Sequence, residues 1–168
     1  MKDISTEVSN RLIERLEYIH IKVANIIVFG AIDPSVLQQL QQKYPAAKIT
    51  LQLWDTALPE NYVADLILAN CDTQQHALLL QSFPILKNLL APEGLLLFSC
   101  YTKDSIGIDM HQIGDAMLQA HLRDPVVDIE RIDDFSVLYG HSSGSQIDQA
   151  SINSDGSVNI PLESIVRL

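Results

Sequence analysis

Three stretches of this sequence hold groups that could act on one small molecule. The apolar run Asn25-Ile26-Ile27-Val28-Phe29 ends in Gly30-Ala31, and Asp33-Pro34 then opens a helix. A strand, a tight turn and a helix N-terminus in that order present backbone N–H groups and a positive dipole end, which suit a phosphate or carboxylate. Glycine in the turn lets a ligand approach the backbone with no Cβ in the way. Gly30 is the one glycine of this turn; Ala31 is small, Ile32 is bulky, and Asp33 is placed to cap the helix with its own carboxylate. Asp55 closes the next strand, where a carboxylate either accepts from the hydroxyl pair of a ribose or simply faces solvent. Asn70 closes the strand after that and by itself reads equally as a turn residue.

Other reactive side chains form no pattern. His20, His76, His111, His121 and His141 are dispersed, and no nucleophile–base pairing can be argued from their spacing. Cys71 and Cys100 lack a CxxC motif or a histidine at ligand spacing, so they read as buried thiols in a reducing compartment and no metal site is expected. Trp54 is either a core anchor or a cover over the cleft.

The elements that would position these groups follow from periodicity. Val8, Leu12, Leu16 and Ile19 recur at helical spacing after the capping run Ser5-Thr6-Glu7. Residues 25–29 form a strand apolar on both faces, 34–43 a helix bearing Val36, Leu37 and Leu40, 48–53 a strand and 64–69 another. A helix over 74–90 carries Leu78, Leu79, Phe83, Leu86 and Leu90, the turn Ala91-Pro92-Glu93-Gly94 follows, and 95–100 is a strand. Asp109 caps a helix with Met110, Ile113, Met117 and Leu118 on it. Strands 126–132 and 135–140 meet at Asp133-Asp134 as an antiparallel hairpin. The pattern predicts an α/β domain with a mostly parallel sheet over residues 1–141. The polar stretch from 142 predicts a mobile segment, and the short apolar piece before 168 is expected to dock on the domain.

Composition bounds the function. The chain has 168 residues, 47% of them hydrophobic, and 21 acids against 11 bases give a net charge of −10. The bases are scattered, so a nucleic-acid backbone finds no stripe to bind. The apolar runs are too short to span a membrane. The polar, acidic first residues do not read as a leader, and the expected location is the cytoplasm.

Several words of the sequence are similar to one family. EVSNRLIERLEYI (7–19), LPENYVADLILAN (58–70), ILKNLLAPEGLLLFSCYTKDS (85–105) and above all DMHQIGDAMLQAHLRDPVVDIERI (109–132) resemble the malonyl-acyl-carrier-protein O-methyltransferases of biotin synthesis. Tyr139-Gly140-His141 resembles their final strand. The resemblance implies a Rossmann-like class I S-adenosylmethionine-dependent methyltransferase sheet. It makes Phe29, Gly30, Ala31, Asp55 and Asn70 the candidate S-adenosylmethionine contacts.

The departures shape the expectation. The family's G-x-G-x-G loop is Phe29-Gly30-Ala31-Ile32-Asp33 here, with Ile32 adding bulk and Asp33 a fixed negative charge. One strand, 48–53, replaces two strand–helix units' worth of strands, so the sheet is expected to be reduced by about one unit. Asp133-Asp134 stands where members insert a lid. Cofactor binding is therefore expected to be lost or weakened, leaving a non-catalytic binding or interaction module. The alternative is an active methyltransferase on a small acceptor or an acyl-carrier substrate. The reduced sheet exposes an edge at 48–53, which predicts self-association or a protein partner there.

Overall fold

Asp3, rather than the Ser5-Thr6-Glu7 run, starts the first helix. The computed structural model describes residues 3–30, 33–54, 62–71, 76–103 and 109–143. In it the Asp3 carboxylate accepts from the Ser5 N–H at 3.3 Å, and α1 runs Ile4–Arg15. Starting there lets Ile4 pack against the core beside Val8. The helix tightens into a 3₁₀ turn over Leu16–Tyr18, which still buries Leu16, and the expected continuation to Ile19 is extended chain.

The remaining elements alternate as expected. They are β1 (Asn25–Phe29), α2 (Pro34–Lys43), β2 (Lys48–Gln52), β3 (Ala64–Cys71), α3 (His76–Leu89), β4 (Leu90–Lys103), α4 (Met110–Gln119), β5 (Arg123–Ile132) and β6 (Phe135–Ser143). Asp33 and Asp109 cap α2 and α4 as their sequence positions imply. The Asp133-Asp134 corner joins β5 to β6 directly, with Asp133 at φ 50°, a region Asp tolerates.

The six strands lie in the order β2-β1-β3-β4-β6-β5. β1 to β4 pair in parallel, and β6 pairs antiparallel with β4 and β5. This is the mostly parallel, Rossmann-like sheet with a terminal antiparallel hairpin. The predicted turn at 91–94 is instead taken into β4. Ala64 pairs with Leu90 and Leu66 with Leu95, so the intervening residues form a bulge. The turn chemistry of Pro92 and Gly94 bends the strand rather than ending it. Gly94 fits because a Cβ there would lie 3.0 Å from the Ala64 carbonyl oxygen.

Strand alternation divides the core into two layers. Ile27, Phe29, Ile67, Ala69, Leu96, Phe98 and Leu138 face α3 and α4, which contribute Leu79, Phe83, Leu86, Ile113 and Met117. Ile26, Val28, Leu66, Leu68, Leu97, Val137 and Tyr139 face α1 and α2, which contribute Val8, Leu12, Leu16, Val36 and Leu40. β1 pairs with β2 on one side and β3 on the other, so the chain reverses its direction of travel across the sheet at β1. The carboxyl ends of β1 and β3 flank that switch point, where open α/β sheets place their ligands. Among the described residues, no helix is long and apolar enough to cross a membrane.

Candidate functional site

Phe29, Gly30 and Asn70 meet at this switch point. Phe29 and Ala69 are register partners, so Gly30 and Asn70 leave the sheet side by side. Gly30 has φ 89°, and its N–H donates to the Gln52 carbonyl at 3.0 Å. That bond ties the turn to the end of β2. A Cβ on Gly30 would lie 2.8 Å from the Asn70 carbonyl oxygen and 3.1 Å from Trp54 Nε1. The space that glycine opens is thus filled by the protein itself. Trp54 packs its indole on the Phe29 ring at 5.0 Å, and its buried Nε1 has no hydrogen-bond partner among the described residues. Trp54 is thus packed against the core, one of the two roles its sequence position left open. Ala31 and Asp55, the other two candidate contacts, lie outside the described residues.

The Asn70 side chain is held from two sides. Its Nδ2 donates to Ser9 Oγ of α1 at 2.9 Å, and its Oδ1 accepts from Ser99 Oγ of β4 at 2.8 Å. Ser9 and Ser99 are buried. Sequence reasoning missed both serines. Ser9 carried a signal, because it is a polar residue on the same helical face as Leu12, Ile13 and Leu16. Ser99 carried none beyond its place in an apolar strand. Ser9, Leu12, Ile13, Val28, Phe29 and Asn70 are among the residues lining a narrow crevice of about 270 Å³, part of it open to solvent.

At the start of α2 the Asp33 carboxylate accepts from the Ser35 N–H at 2.8 Å and from the Thr6 hydroxyl at 3.1 Å. Hydrogen bonds from Ser35, then the one from Thr6, hold this carboxyl below its ordinary range. The helix N-terminus therefore carries a fixed negative charge, as its position implied.

A second polar cluster lies on the α1 face of β5 and β6. Arg11 bridges Glu7 and Glu130, each at 2.9 Å, and Glu130 also accepts from the Tyr139 hydroxyl at 2.9 Å. Arg15 makes a two-pronged contact with Asp128 at 3.0 and 3.1 Å and lies 4.0 Å over the Tyr139 ring. Burial, then the hydrogen bond and charge of Glu130, push the Tyr139 hydroxyl pKa up. These groups clamp α1 to the hairpin. His141 pairs in register with Leu97 and Val126, so it belongs beside this cluster and away from the strand-end site. Burial, followed by the charge of Arg15, lowers its pKa, while Asp128 opposes them. A depressed pKa favours neutral His141 in the folded chain. The stability this gives is present above the unfolded pKa of about 6.5 and is lost as pH falls from there through the folded value. Chemical denaturation between neutral and mildly acidic pH should therefore show a declining limb that is shallower in His141→Gln. An unchanged limb in that variant would contradict the assignment.

No family model matches the chain. Malonyl-(acyl-carrier protein) O-methyltransferase 1 of Coxiella burnetii is 30% identical over 158 residues, covering 74% of this chain and 56% of that protein. The protein of the same family name from Gallionella capsiferriformans is 29% identical over 176 residues, covering 76% of this chain and 61% of its own. The chain thus spans less than two thirds of the length of these relatives. Among solved structures, phosphoethanolamine N-methyltransferase 2 of Haemonchus contortus, in complex with S-adenosyl-L-methionine, superposes with a TM-score of 0.64 at 10% identity. That match covers 83% of this chain and 53% of the other, and at such identity it speaks for the fold. Sheet order and relatives agree: over about three quarters of its length this chain is a homologue of the malonyl-acyl-carrier-protein O-methyltransferases, built on the class I S-adenosylmethionine-dependent methyltransferase fold.

Proposed function

We propose that S-adenosylmethionine binding is lost or weakened in this chain and that it serves as a non-catalytic binding or interaction module. The observation that carries this reading is the engagement of Asn70 by Ser9 and Ser99, which occupies both ends of its amide. The same holds nearby. Asp33 fills the N-terminus of α2, where an anionic group of a ligand would otherwise be welcome. Without the space open to solvent, the cavity volume of the crevice is about 10 Å³, far below the roughly 300–1,000 Å³ of small-molecule sites. The described residues at the strand ends therefore do not fit the cofactor.

One observation favours the alternative, an active methyltransferase on a small acceptor or acyl-carrier substrate. Buried indole N–H groups usually find a partner, and Trp54 Nε1 beside Gly30 has none among the described residues. A ligand acceptor at the strand ends would satisfy it, with Asp55 as the second contact.

Calorimetric titration with S-adenosylmethionine and S-adenosylhomocysteine separates the two. The expected result is no saturable heat up to millimolar ligand. Micromolar binding that Asp55→Ala abolishes would overturn the proposal and favour the alternative.

A further inference from the structure

β2 ends the sheet, and among the described residues it is paired on one side only. Lys48 N–H donates to the Ala24 carbonyl and the Gln52 carbonyl accepts from Gly30, so the even-numbered residues of β2 turn their amides toward β1. Alternation then points the amides of Ile49 and Leu51 outward. The side chains of Leu51 and Leu53 are 55% and 58% exposed, which is unusual for leucine beside an open edge. The strand holds no proline and no inward charge, its pairing to β1 has no bulge, and Lys48 at its start is the one charge it carries.

We infer that this edge pairs with β2 of a second copy, antiparallel about a two-fold axis at Leu51. That register is self-complementary. Leu51 meets its own counterpart, and Ile49 lies opposite Leu53, on the face that packs with α1 and α2. Thr50 lies opposite Gln52 on the other face, and Lys48 lies opposite Trp54 rather than another lysine. No like charges meet. Residues 43–54 hold Lys43 and Lys48 and no acid, in a chain of net charge −10. The joining faces are thus the acid-free part of an acidic molecule, the part where two copies of like net charge repel least. The isologous contact closes after two chains, so it gives a dimer and not a fibre.

The pairing stands apart from the reading of the strand-end site, because mass reports the one and heat of cofactor binding the other. Sedimentation equilibrium of the full chain should show a dimer at micromolar to sub-millimolar concentration. Leu51→Lys, at an exposed position, places two like charges on the axis and should leave a monomer with unchanged circular dichroism. Leu51→Cys should cross-link to a covalent dimer under mild oxidation. Residues opposite one another in a bonded antiparallel pair have Cα atoms about 5.5 Å apart, within disulfide reach. The exposed α2 control Gln42→Cys should not cross-link, and the native Cys71 and Cys100 are buried. A wild-type monomer across that range, a dimer that survives Leu51→Lys, or equal cross-linking of both cysteine variants would overturn the inference.

Discussion

Gly140→Ala is expected to destabilise the chain by about 3 kcal/mol, the upper part of the usual range for an overfilled core. Gly140 lies opposite Phe98 across the β4–β6 ladder. A Cβ at this position would fall 2.1 Å from Phe98 Cζ and 2.5 and 2.8 Å from Cε1 and Cε2. The ring lies over the bare backbone of Gly140, with Ala69 its register partner in β3. It has no room to retreat, because Phe83 packs on it at 5.4 Å and Phe98 is wholly buried. The methyl group must displace the ring or part the strands. Urea unfolding should show a lower midpoint with an unchanged slope. Phe98→Leu, itself destabilising, should cost much less in the Gly140→Ala background, since it removes the collision. Two variants in direct contact should be non-additive in this way. A midpoint for Gly140→Ala equivalent to within about 0.5 kcal/mol of wild type would refute the packing argument.

Gly30→Ala is expected to cost about 2–3 kcal/mol in the absence of any ligand. Left-handed backbone costs an L residue roughly 1–2 kcal/mol, and Gly30 has φ 89°. The collision with the Asn70 carbonyl, 2.8 Å from the added Cβ, supplies the rest. That carbonyl belongs to a residue paired with Ser99 in β4, so it cannot swing away without breaking the ladder. Trp54→Phe removes the indole nitrogen from the neighbourhood but leaves the carbonyl, and should not rescue Gly30→Ala. The same unfolding measurement decides. A near-neutral Gly30→Ala would mean that the turn relaxes freely, and the glycine would then need another explanation. The expected loss has a functional consequence. The fold alone requires this glycine, so its presence is no sign of a working cofactor loop.

Much of the architecture could be read along the chain because its signals are local. Asp33-Pro34 and Asp109 mark helix starts by supplying a side-chain acceptor to N–H groups two or three residues on. The unbroken apolar run 25–29 identified a strand buried on both faces, and Asp133-Asp134 marked a corner with no room for an insertion. The same local reading erred where two neighbours compete. Ser5 and Asp3 are both able caps, and the reach of Ile4 to the core decided between them. Ala91-Pro92-Glu93-Gly94 has the composition of a turn, but Leu90 was drawn into the ladder opposite Ala64, which made the stretch a bulge.

The sequence by itself determined which residues stand at the strand ends: Phe29, Gly30 and Asn70 are where the apolar runs placed them. Tertiary structure alone decided what those residues do there. Asn70 is bonded to Ser9, 61 residues away, and to Ser99, 29 residues away. Arg15 and Arg11 grip Asp128 and Glu130 more than a hundred residues later. Helical and strand periodicity fix which way a side chain points relative to its own element. They carry no information on which other element packs against it, and that choice settles whether a polar group is offered to a ligand or engaged within the protein.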